Sequence, residues 1–169
     1  MRIHRYLALA AGLALSSGTH AQAPVVAADD AEALFHSSDP KLDANKQIAY
    51  HIVKEMLQAG HPEAADKYLS ERYIQHNPNF PSGRDPIKKT FAMVKPKPIP
   101  EKMAPSVVSV VAEGDMVIVA SVSKRPDPKQ PGKTYTTTHF DMWRIKDGKA
   151  DEHWDEAPLG PPEGPPPGR

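Results

Sequence analysis

The stretch THFDMWRIKDGKADEHWDE, residues 138–156, constrains this chain more than any other, because Asp147-Gly148 calls for a two-residue hairpin. A type I′ turn needs positive φ at both central positions, which aspartate tolerates and glycine adopts freely. Pairing Lys146 with Lys149 sets Ile145 opposite Ala150, Trp143 opposite Glu152, Asp141 opposite Trp154 and His139 opposite Glu156. Side chains alternate across a strand. One face then carries His139, Asp141, Trp143 and Trp154, and the other carries Phe140, Met142, Arg144, Asp151, His153 and Asp155. A regular hairpin therefore sends its two His-x-Asp pairs to opposite faces. One extra residue in one strand, a bulge of the kind found beside active sites, would re-aim Asp155 toward His139 and Asp141. Both arrangements stay open at this level, as does a plainer one in which Asp151 and Arg144 form a cross-strand ion pair and the tryptophans are core.

Upstream of the hairpin the hydrophobic period changes once. From Asp43, a candidate N-cap, Ile48, Ile52 and Met56 recur at i and i+4 beside Ala49, Val53 and Leu57, which predicts a helix ending at Gly60. His61-Pro62-Glu63 opens a shorter helix through Leu69, and 73–76 reads as a short strand running into the turn-former cluster Asn77-Pro78-Asn79. Asp85 and Pro86 start a third helix, which the run KPKPIP ends as an extended connector. Valine-rich segments at 106–111 and 116–123, a loop at 126–132, and long strands at 134–145 and 150–157 follow. Helices first and strands afterwards predict an α+β fold with N-terminal helices packed on a curved antiparallel sheet.

The ends read differently. Arg2 and Arg5, an apolar run to Leu15 and the small-x-small Ala21-Gln22-Ala23 make 1–21 a signal peptide, too short to span a bilayer, and place the protein in the periplasm or outside the cell. Residues 22–42 read as a mobile arm, 43–158 as the folded domain, and 159–169, within PLGPPEGPPPGR, as a disordered tail. The absence of cysteine excludes thiol catalysis, disulfides and Cys-based zinc sites. Lysine plus arginine and aspartate plus glutamate both number 21, and no basic stripe stands out to attract a nucleic acid backbone. Neither a nucleic acid partner nor stable membrane insertion is expected.

The segments AYHIVKEMLQAGHPEAADKYLSERYIQHNPNFPSGRDPI and FDMWRIKDGKADEHWDEAP resemble the SnoaL-like polyketide cyclases, part of the cone-shaped superfamily named after nuclear transport factor two. The resemblance spans roughly 43–158 and implies a cone-shaped α+β barrel with a deep pocket between sheet and helices. It further implies an intramolecular aldol condensation with no metal or cofactor, in which a last-strand aspartate, here Asp155, moves the proton. Two polar positions of the preceding strand fall on His139 and Asp141, where this chain departs from the cyclase pattern of a glutamine and a histidine. All three line one pocket in such proteins, which implies the bulge. His76 falls at an equivalent rim position, while Tyr73, Trp143 and Trp154 are the aromatic candidates for holding a substrate. The expectation is a cofactor-independent acid–base enzyme, cyclase- or isomerase-like, on a small ketone-bearing molecule. The alternative is a non-catalytic small-molecule-binding module of the same fold. Two histidines and two aspartates could ligate an ion, but no tight ligand spacing supports that, and none is expected. Folds of this kind often form homodimers through the outer sheet face, where Phe140 and Met142 are expected.

Overall fold

The computed structural model describes residues 22–160, so the expected signal segment and all but the first two residues of the tail lie outside the described residues. The first helix is capped by Asp39 rather than Asp43: the Asp39 carboxylate accepts from the backbone N–H groups of Lys41 and Leu42, and Pro40 occupies the first helical position. Asp43 faces backward and accepts from the Ser37 N–H at 2.9 Å. Helix α1 (Pro40–His51) runs into a wider, π-type segment, Ile52–Gln58, which ends at Gly60 with φ of 75°. Of the predicted stripe, Ala49, Ile52, Val53 and Met56 are buried. Helix α2 (Ala64–Tyr68) leads directly into strand β1 (Leu69–Gln75), and α3 (Arg84–Phe91) precedes β2 (Val107–Glu113), β3 (Met116–Pro126), β4 (Thr134–Lys146) and β5 (Lys149–Asp155).

The five strands form one sheet in the order β1-β5-β4-β3-β2. The α+β class stands, and the sheet is mixed: β2 to β5 form the expected antiparallel meander, but β1 joins β5 in parallel. A hydrophobic period cannot report strand direction, which is why the sequence pattern missed this. Helices pack on the inner face, and Phe35, Met56, Leu69, Val107, Val117, Val119 and Trp143 have almost no exposed surface.

Residues 22–42, read from the sequence as a mobile arm, make specific contacts with this body. Val25 N–H donates to Thr136 Oγ1 and Ala28 N–H to the Val107 carbonyl, both at 2.8 Å. Phe35 is fully buried, and Glu32 accepts from the Tyr50 hydroxyl at 2.8 Å. These anchors are single residues spaced without a period, so no pattern marks them.

The hairpin contains the bulge. Ile145 pairs with Ala150 as regular geometry requires, but Arg144 pairs with Glu152, leaving Asp151 as the extra residue. Strand β1 bends to meet it, since its register jumps between Leu69 and Ile74. Asp151 is buried, and its carboxylate accepts from Ser70 Oγ at 2.7 Å and from the Nε and Nη2 of Arg72. The Arg144–Asp151 ion pair of the plainer reading is absent among the described residues' contacts; Arg144 instead bonds Asp115 and Glu152.

The Arg72 guanidinium holds the Asp151 carboxyl down at about 2, below the ordinary carboxylate range, with Ser70 assisting. A depressed folded-state value means stability that is present above the unfolded carboxylate's range and lost as pH falls toward the folded value. Replacing Arg72 with alanine leaves the buried Asp151 carboxylate with only Ser70 as its side-chain partner, and we expect a loss of stability at neutral pH. Urea melts of Arg72→Ala and the parent at pH 7 and near pH 2 test this: the difference should shrink at the acidic end.

Candidate functional site

Beyond the bulge the pairing is regular again but shifted by one. Trp143 lies opposite His153, Met142 opposite Trp154 and Asp141 opposite Asp155. Because side chains alternate, the shift turns His153 and Asp155 to the inner face with His139, Asp141 and Trp143, and sends Trp154 outside. The inner face closes a cavity of about 740 Å³ against the helices. Its apolar wall includes Ile52, Met56 and Leu57 of the π-type segment and Ile87 and Phe91 of α3. Its polar wall is built by His139, Asp141, His153 and Asp155, with Tyr73, Gln75 and Asn77 from β1 and the turn after it.

The three residues expected to carry chemistry come together: one ligating atom from each of His139, Asp141 and Asp155 lies within 4.8 Å of the others. His139 Nε2 is 3.4 Å from Asp141 Oδ1, and its Nδ1 is 2.6 Å from Glu156 Oε1. Asp155 is held at both oxygens, Oδ2 accepting from Asn77 Nδ2 at 2.8 Å and Oδ1 from the Ala157 N–H at 3.1 Å. The spacing of the three donors would admit a divalent cation. Asp141 Oδ1 also lies 3.1 Å from His153 Nε2.

Tyr73 and Trp143 also face the cavity. Trp143 Nε1–H donates to the Tyr73 hydroxyl oxygen at 3.2 Å, which orients the phenol. Burial pushes the Tyr73 phenol far above its ordinary range, and the nearby Asp141 and Asp155 charges push it further the same way. It therefore stays a donor at any ordinary pH.

His76 and Trp154, expected at the rim and in the pocket, do not line the cavity and are corrected here. The one-residue shift places Trp154 on the outer face, where it stacks on His76 with ring centroids 4.5 Å apart, and His76 Nε2 meets Glu152 at 3.1 Å. The polar cavity residues that were not among the expected site include His153, Gln75, Asn77 and Glu156. His153 was set aside by regular parity, and only the bulge could have recovered it.

Residues 51–153 match the family model of the SnoaL-like domain, and this stretch is more than half of the chain. The chain belongs to the SnoaL-like family. Among solved structures it is similar to a candidate polyketide cyclase from Bacillus cereus ATCC 10987, with TM-score 0.50 and 17% identity over 71% of this chain and 79% of that one. It is also similar to a candidate polyketide cyclase from Acidithiobacillus ferrooxidans (TM-score 0.47, 20% identity, 70% and 89% covered). A third is TsrD from Streptomyces laurentii (TM-score 0.45, 21% identity, 71% and 90% covered). At these identities the likeness is one of fold. No curated protein sequence matches the chain significantly.

The two tryptophans report separately on the two faces, since Trp143 is 1% exposed and lines the cavity while Trp154 does not. A small cyclic ketone entering the cavity should change the emission of Trp143. Titration of Trp154→Phe should keep nearly all of the signal change seen in the parent, and titration of Trp143→Phe should lose most of it.

Proposed function

We propose that this protein is a cofactor-independent acid–base enzyme, of cyclase (aldol) or isomerase type, acting on a small ketone-bearing molecule. The observation that carries this reading is the convergence of Asp155, Asp141 and His139 on the wall of one largely apolar cavity. A carboxylate fixed by two donors yet open to a cavity can remove a proton from a carbon beside a carbonyl. In this reading Asp155 takes that proton, and the C–H electron pair moves to the carbonyl oxygen as an enolate. In a cyclase the enolate carbon then attacks a second carbonyl of the same molecule, and the new alkoxide is protonated. The Tyr73 hydroxyl supports the oxyanion role: its oxygen accepts from Trp143, and among the described residues its own hydrogen meets no acceptor.

Asp155→Asn keeps the size and one of the two acceptor positions, and its amide cannot take the proton. Turnover of a diketone substrate should fall by about 10² to 10⁴-fold or more while the circular dichroism spectrum is unchanged. Undiminished turnover in that variant sinks the proposal. Saturable binding with no conversion of any ketone by the parent favours a binding module instead. Turnover should also survive exhaustive chelation; loss on chelation, restored by zinc, would mean that the three donors act through an ion.

The same proposal places the chain outside the cytoplasm, on the strength of the charged and apolar start of the sequence. Among the described residues no helix is long and apolar enough to cross a membrane. It also pairs two copies through the outer sheet face, where Val111 and Phe140 are each about half exposed, at 59% and 49%. Sedimentation of the purified chain should give a dimer, and Phe140→Glu should shift it to monomer.

A further inference from the structure

We infer that His139, Asp141 and His153 together hold one proton more than two neutral imidazoles and a carboxylate would carry, and that this resident proton is the acid partner of Asp155. The proton count stands on hydrogen-bond geometry alone; its catalytic use rests on the acid–base reading above.

The count starts at Gln75. Its Oε1 position touches two groups, the backbone N–H of Asn77 at 3.1 Å and the Nδ1 of His153 at 2.8 Å. A backbone N–H can only donate. The atom beside it must therefore be the amide oxygen, because the amide nitrogen there would set donor against donor. An amide oxygen can only accept, so His153 Nδ1 carries a hydrogen. The same logic applies to His139, whose Nδ1 lies 2.6 Å from Glu156 Oε1, while the other carboxylate oxygen of Glu156 accepts from the Phe140 N–H at 3.0 Å. A carboxylate so engaged accepts, and His139 Nδ1 is a donor too.

Both rings thus commit their Nδ1 hydrogens outward; His153 presents Nε2 to Asp141 Oδ1 in hydrogen-bond geometry, and His139 Nε2 stands near the same oxygen. Asp141 Oδ1 lies 3.1 Å from His153 Nε2 and 3.4 Å from His139 Nε2. Were each ring neutral, both Nε2 atoms would be bare lone pairs facing a carboxylate oxygen, in a place where Asp141 is 4% exposed and water gives little relief. One added proton in the shorter contact, on His153 Nε2 or on the Asp141 carboxyl, turns that opposition into a hydrogen bond and lowers the charge that His139 Nε2 faces. The shorter contact places it between His153 and Asp141. Trp143 and Tyr73 cover the His153 ring with centroids at 5.1 and 6.5 Å, and Asp155 lies across the strand pair from Asp141.

The functional consequence is a division of labour. Asp155 is the base, and the trio supplies a proton to the oxygen that becomes an alkoxide, after which the proton taken by Asp155 returns to the trio. No external donor is needed, and the proton count over a turnover is zero. His153 in this scheme is a positioning residue that keeps Asp141 loaded.

The test uses the full chain with ¹⁵N-labelled histidine and ¹³C-labelled aspartate, read by nuclear magnetic resonance at neutral pH, with His139→Gln and His153→Gln to assign the rings. Hydrogen on both Nδ1 atoms, together with hydrogen either on one Nε2 or on the Asp141 carboxyl, is the expected result. A bare Nδ1 on His153, or two bare Nε2 atoms facing an ionised Asp141, overturns the inference. In Asp141→Asn the amide can turn its N–H toward a bare Nε2, so both rings should become neutral with hydrogen only on Nδ1; hydrogen retained on the His153 Nε2 there also overturns it. These readouts need no substrate. If they fail while Asp155→Asn still abolishes turnover, the proton store is wrong and the acid–base reading stands.

Discussion

A single surplus residue, Asp151, held by Arg72 and Ser70, is the constraint from which the rest of the site follows. Without it the last strand would continue in the register that the Asp147-Gly148 turn starts, and His153 and Asp155 would face away from the cavity. A bulge leaves backbone groups locally unpaired and needs compensation. Here the compensation is a charge-assisted clamp from a strand that runs parallel to the bulged one, so β1 both extends the sheet and locks its irregularity.

The clamp and the cavity share elements. Strand β1 supplies Ser70 and Arg72 to the bulge, then Tyr73 and Gln75 to the polar wall, and its following turn supplies Asn77 to orient Asp155. Rigid positioning of this kind is what acid–base chemistry requires, because a carboxylate misplaced by an ångström loses much of its effect. The opposite wall is aliphatic and aromatic, contributed by helices whose sequence need only be apolar and of suitable size. The two walls thus differ in demand: the sheet wall carries specific contacts, the helix wall mainly volume.

Particular elements show how far the chain could be read before its fold was known. The helical stripe through Ile52 and Met56, the strands from 107 to 155 and the turn at Asp147-Gly148 follow from local periodicity and turn chemistry. Asp39 and Asp43 both satisfy the capping rule, which by itself does not choose between them, and the anchors Val25, Ala28 and Phe35 carry no period at all. At the site, His139, Asp141, Asp155, Tyr73 and Trp143 were legible as residue types on strands. His153 and Gln75 were not, since their roles arise from a register shift and from a parallel neighbour distant in sequence.

By itself the sequence determined the order of helices and strands, the position of the hairpin and the inventory of ionisable groups, because each depends on neighbours within a few residues. Only the tertiary structure decided which groups share a cavity. A one-residue change of register moves every later side chain to the opposite face, and whether it occurs depends on Arg72 meeting Asp151 across 79 residues of chain. That contact is long-range, so no local pattern encodes it, and the fate of His153, Trp154 and Asp155 was settled there.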